Sequence, residues 1–171
     1  MVEKDNVLKE KIFYKGIAKL EDAYIFAYDW LRENEFDVTE KLYSEKIQAG
    51  GAKDIEIKWN ASVKISDYFR ITLEIAWKLL GMKEVEIEID GQKKESNKFS
   101  ELSITVKGIL EKDWSNKWEP NPIHKFFKEL YQKYIIPQRI EEKQDLVREI
   151  TQKFTDEMKA YFELVGKKRP S

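Results

Sequence analysis

The chain has no cysteine. Disulfides, thiolate metal sites, iron–sulfur clusters and cysteine nucleophiles are therefore excluded, and a reducing compartment is compatible with the composition. Histidine occurs once, as His124, so no pair of imidazoles is available to a metal. Glycine and proline are sparse, at 7 and 4 of 171 residues. Neither a glycine-rich phosphate loop nor the dinucleotide fingerprint is present, and no GxSxG elbow is found. No cofactor is expected. An excess of either charge is also missing, because 31 Lys and Arg face 32 Asp and Glu. With both signs interspersed there is no nucleic-acid footprint. The one basic run, Lys167, Lys168 and Arg169, reads as a solubilising tail. Met1 to Glu10 has no signal-peptide core, and no apolar run nears the ~20 residues of a membrane span. The expectation is a cytoplasmic protein without a transmembrane segment.

What the chain does hold is apolar and charged residues together. Hydrophobic residues make up 42% and aromatics 13%, which a disordered chain would not carry. Charged residues reach 37%, against roughly 25% in average soluble domains. The surplus is Lys and Glu, a thermophile-like composition that ordinary surface decoration also produces. The length suits one domain with its own core. We expect a flexible N-terminus over 1–9, a single domain over 10–166 and a flexible basic tail over 167–171.

Periodicity locates the elements. Residues 11–18 read as a first strand with Gly16 at a bend. Residues 19–34 carry Leu20, Tyr24, Ala27, Tyr28 and Leu31 at helical spacing, with Asn34 as a stop. Residues 38–48 form a weaker strand with blurred alternation, ended by Ala49-Gly50-Gly51. From Ile55 to Ile65 every odd residue is apolar, and the odd positions from Phe69 to Leu79 repeat the pattern. Each segment reads as a half-buried strand with one wet face. Opposing Ile65 to Phe69 keeps one inner face and leaves Ser66, Asp67 and Tyr68 as the loop. Gly81 interrupts; Val85, Ile87 and Ile89 resume; Asp90-Gly91 turns. Residues 92–98 hold a short strand or a loop, and Leu102, Ile104, Val106 and Leu110 mark a last long strand. Asn121-Pro122 starts a helix that Pro137 ends or kinks. A long amphipathic helix over 138–165 carries Ile140, Val147, Ile150, Phe154, Met158, Tyr161 and Val165, with Gly166 as its stop.

This is an α+β chain: an antiparallel sheet of about six strands gripped by a long C-terminal helix, with a helical insert after the first strand. The order of the strand at 11–18, the insert at 19–34, the hairpins at 53–79 and 83–110 and the helix ending at Val165 resembles the helix-grip fold of the Bet v 1, START and polyketide-cyclase superfamily. The resemblance is one of element order. It implies a curved sheet and a cavity between sheet and helix that takes apolar ligands. Inner-phase residues expected at such a cavity are Ile57, Trp59, Ala61, Leu73, Ile75, Trp77, Ile87, Ile104, Val106, Phe154, Met158 and Tyr161.

Other constellations are weaker. Glu84, Glu86, Glu88 and Asp90 line one strand face, but a strand spaces them ~7 Å apart and does not converge them on a cation. No metal site is expected. His124 in a first helical turn could serve as a general base, but an exposed position without a catalytic role is the favoured reading, and no catalytic residue is expected. Trp114, Trp118 and Phe127 could anchor a protein partner, or pin a connector onto the domain. The leading expectation is a non-enzymatic module for a small apolar molecule or lipid. The alternatives are a protein-interaction domain of chaperone-regulator type without a cavity, and a cyclase- or hydrolase-like enzyme of the same fold.

Overall fold

The computed structural model describes residues 2–114, 126 and 137–167. Its elements run β1 (Glu3–Ile17), α1 (Leu20–Glu33), β2 (Asp37–Ile47), β3 (Lys53–Lys64), β4 (Phe69–Ile89), β5 (Gln92–Lys112) and α2 (Pro137–Lys167). The strands form one antiparallel sheet in the order β1-β5-β4-β3-β2. The long C-terminal helix lies against it, an arrangement compatible with the helix-grip fold. The expected helix at 122–136 apart from Phe126, His124 within it, and the basic tail beyond Lys167 fall outside the described residues.

The odd-phase register holds. Ile55, Ile57, Trp59, Ala61, Phe69, Ile71, Leu73, Ile75, Trp77 and Leu79 are all buried, while Glu56, Lys58, Glu74 and Lys78 are exposed. β3 and β4 pair as Ile57 with Trp77 and Trp59 with Ile75, so both tryptophans stand on one face. The hairpin closes where the Ile65 N–H donates to the Phe69 carbonyl, at 3.0 Å. Ser66 Oγ accepts the N–H groups of Tyr68 and Phe69, which fixes the three-residue loop.

The strand count is five, not six. Gly81 does not end a strand. It takes φ +62° inside a continuous β4, and the β3–β4 register shifts between Lys53 and Ile55 beside it. Likewise residues 92–98 are not a loop but the first part of β5, paired from Ile89↔Gln92 through Lys83↔Lys98. A glycine and a polar run look like breaks in a sequence, but ladder hydrogen bonds ignore side-chain polarity. β1 also begins at Glu3 rather than Lys11. Its early residues pair with β5, and Lys112 bridges Glu3 and Asp5 at 3.6 and 3.3 Å.

β2 is the edge that its blurred alternation suggests. A bulge between Glu40 and Leu42 resets its phase, and all of β2 but Val38 is exposed. In α1 the buried stripe is Ala23, Ala27 and Leu31, with Tyr24 beside it and Tyr28 38% exposed. Small residues at that stripe let the helix approach the sheet closely. Asn34 terminates it: its side-chain amide and backbone N–H both reach the last-turn carbonyls, and Glu35 then turns at φ +68°.

α2 spans 31 residues, about 46 Å at 1.5 Å per residue. Val147, Phe154 and Met158 are fully buried, as their spacing predicts. Thr151, Thr155 and Phe162 share that face, although two of them are polar. Each threonine hydroxyl donates to the carbonyl one turn back, at 2.7 and 2.8 Å, so it enters the core satisfied. Opposite them lies Gly108 on β5. A Cβ there would sit 2.3 Å from Thr151 Oγ1 and 2.9 Å from Val147 Cγ1. Helix and sheet are thus in direct contact along β5. Gly108→Ala is expected to destabilise the fold by about 1–3 kcal/mol through overpacking. A guanidinium melt reads this; an unchanged midpoint would mean the helix stands off the sheet.

Candidate functional site

The inner face divides into a packed part and an open part. In the packed part Trp59 and Trp77 meet edge-on, with ring centroids 5.4 Å apart. Tyr24 from α1 closes over both, 4.7 Å from Trp59 and 6.3 Å from Trp77. Trp30 sets its ring 5.3 Å from Phe154 and so joins α1 to α2. The Trp77 indole N–H is buried without an acceptor, so ring packing rather than hydrogen bonding holds this region. Of the residues expected at a cavity, Ile57, Trp59, Ala61, Leu73, Ile75, Trp77, Ile104, Val106, Phe154 and Met158 all lie in this buried core.

Ile87 and Tyr161 lie elsewhere, and the fold brings them together. The far half of the β4–β5 hairpin runs past the sheet toward the start of α1 and the end of α2. Between these parts is a cleft of about 570 Å³, lined by Ile17, Lys19, Asp22, Ile87, Ile89, Lys94, Glu95, Ser96, Tyr161 and Val165. β1 contributes its last residue, α1 its first turn, the hairpin its tip and α2 its final turns.

Two long-range contacts hold the walls in place. Asn97 on β5 caps α1 from a distance: its side-chain oxygen accepts the Leu20 N–H at 3.0 Å, and its carbonyl accepts the Ala18 N–H at 2.9 Å. The Lys19 N-cap position supplies no side-chain cap of its own, so the hairpin performs that role. At the other end of the hairpin, Asp54 Oδ1 accepts the Gly81 N–H at 3.0 Å, which ties the bend in β4 to β3. Cleft shape therefore depends on contacts remote in sequence.

Chemically the cleft has an apolar floor and a mixed rim. Ile17, Ile87, Ile89 and Val165 supply the hydrocarbon surface. Lys19 and Lys94 are matched by Asp22 and Glu95, and none of these four makes an ion pair among the described residues. Tyr161 is the one aromatic among the described residues that line the cleft, stacked on Phe26 at 4.6 Å. Burial, then the Asp22 carboxylate and the Tyr14 phenol, push its hydroxyl up to about 12. It is a neutral donor throughout the physiological range. Lys19, Asp22, Lys94, Glu95 and Ser96 carry no signal in the sequence that could have marked them, since each reads as ordinary surface.

A second, smaller groove of about 330 Å³ lies on the opposite sheet face, with Lys9, Lys41, Lys58, Lys107, Asn60 and Glu74 among its walls. The strand carboxylates Glu84, Glu86, Glu88 and Asp90 are exposed, and no metal-holding group of side chains occurs among the described residues. Trp114 is pinned to the hairpin loop. Its indole N–H donates to the Ser66 carbonyl at 2.7 Å, while Lys64 and Arg70 lie 4.8 and 5.5 Å from its ring. Trp118 and Phe127 fall outside the described residues. Among those that are described, no helix is long and apolar enough to cross a membrane. No protein-family model, curated protein or solved structure matches the chain.

Proposed function

We propose that this protein is a small-ligand module of helix-grip type, holding an apolar molecule in the cleft between the β4–β5 hairpin and the end of α2. One observation carries the reading: the cleft of about 570 Å³ with isoleucine and valine walls drawn from separate elements. Ligand sites span roughly 300–1,000 Å³ and combine apolar walls with a few polar groups. The site differs from the one that inner-face tryptophans suggest, because Tyr24 occupies the space above them. Chemistry at this cleft is not part of the proposal. Its charged side chains sit on the rim, and its part-buried phenol, Tyr161, is held neutral.

Titration with a polarity-sensitive dye tests the reading. Wild-type protein is expected to bind it saturably and to gain melting temperature by mass action. Val165→Trp fills the cleft and is expected to weaken binding at least tenfold while leaving the fold intact, since Val165 is only part-buried. Binding that ignores Val165→Trp but falls with Trp77→Ala would move the site to the core. A protein-interaction reading draws on Leu42, Tyr43 and Ile47, all exposed along β2; absence of any saturable small-molecule binding would favour it.

A further inference from the structure

The sheet sorts charges that the sequence scatters. The chain as a whole carries −1. On the outer face, opposite the tryptophans, the strand registers gather lysines from four of the five strands. Lys9 of β1 stands opposite Lys107 of β5, and that row continues through Glu74 of β4 to Asn60 of β3. The next row holds Lys11, Thr105, Ala76 and Lys58, and the β2 bulge adds Lys41 beside it. Ala76 is short, and the groove of about 330 Å³ lies over it, with Lys9 and Lys107 on one side and Lys58 and Lys41 on the other. β5 and β3 lie two strand spacings apart, roughly 10 Å, so long side chains from both sides can reach one ligand.

Two features set this groove apart from a solvated lysine face. Lys9 and Lys107 are like charges directly opposed across a ladder, an arrangement that repels. Neither of them, nor Lys41, makes an ion pair among the described residues, while Lys58 is held by Glu56 at 3.4 Å. The second feature is Asn60, which buries its side-chain oxygen without a partner and so leaves its amide N–H groups for the groove. Thr105 adds a hydroxyl, and Glu74 is the one acid among the described lining residues, against four lysines. Such a set of cations and donors suits phosphate oxygens, which lysine meets as a point charge. No aromatic ring among the described residues faces the groove to stack a base, since the Trp59 side chain is 2% exposed on the inner face. We propose that this groove binds a compact soluble anion carrying several phosphate groups, held between the lysines of β1 and β5 and those of β3 and β2. The site is separate from the cleft at the hairpin end and does not depend on it.

Calorimetric titration of the full chain at low salt, with inorganic tripolyphosphate and with orthophosphate, tests this. Tripolyphosphate is expected to bind saturably at one site, about tenfold or more tightly than orthophosphate, because more charge meets the same lysines. Lys9→Gln with Lys107→Gln should weaken it about 3- to 10-fold, the range for two exposed charge contacts. Glu74→Gln should tighten it. Lys93→Gln with Lys98→Gln removes the same charge from exposed positions on β5 that do not line the groove, and should leave the affinity nearly unchanged. No saturable binding of tripolyphosphate, equal weakening by the two lysine pairs, or a short oligothymidylate that binds as tightly as tripolyphosphate overturns the proposal. Val165→Trp should not alter tripolyphosphate binding, so failure of this site and failure of the cleft are read separately.

Discussion

Phe154→Ala is expected to cost about 3–5 kcal/mol, the range for truncating a fully buried aromatic. Phe154 is 0% exposed and lies where α2 meets α1, its ring 5.3 Å from Trp30. The neighbours cannot collapse into the space left. The turn before it is held against Gly108 through Val147 and Thr151, and the turn after it is buried at Met158. For a chain of this size the loss corresponds to a fall of roughly 10 °C in melting temperature. Urea denaturation followed by tryptophan fluorescence checks it, since Trp30 reports on the same contact. A loss under about 1 kcal/mol would mean that α2 does not hold the sheet.

Arg70→Ala is expected to cost about 3 kcal/mol by stranding Glu111. Glu111 is 3% exposed on the outer face, and the Arg70 guanidinium pairs with it through both Nε and Nη2. Removing one partner of a buried pair leaves the other charge desolvated, typically at about 3–5 kcal/mol. The lower figure applies here because Lys4 stays within 3.8 Å of Glu111. The substitution also removes a cation beside Trp114, 5.5 Å from its ring. A paired replacement separates the causes. Arg70→Met with Glu111→Leu should recover most of the loss, because a well-packed apolar pair removes the desolvation penalty rather than offsetting it. Failure of the double variant to recover would assign the effect to Arg70 packing instead.

Much of the sheet is legible in the residues. The alternation from Ile55 to Leu79 sets the face, the phase and the hairpin loop together, because a one-residue slip would bury Glu56 and Lys58. The α2 stripe is legible for the same reason, its apolar residues recurring at the helical period. Thr151 and Thr155 are not, because their burial depends on Gly108 opposite and on carbonyls one turn back. Ile87 and Tyr161 are identifiable as inner-phase residues. Their shared cleft is not, since 74 positions separate them and no local pattern records that distance.

By itself the sequence determined the α+β class, the antiparallel pairing, the inner face and the helix that covers it. These follow from periodicity, and periodicity is a property of neighbours along the chain. The tertiary structure alone decided that the tryptophan face is packed and that the open volume lies at the hairpin end. Whether a void survives between two apolar surfaces depends on how closely they approach. That distance is set here by Gly108 under α2, Tyr24 over Trp59, and Asn97 capping α1 from β5. Each is a contact between residues far apart in the chain, and each takes its meaning from the partner across the gap.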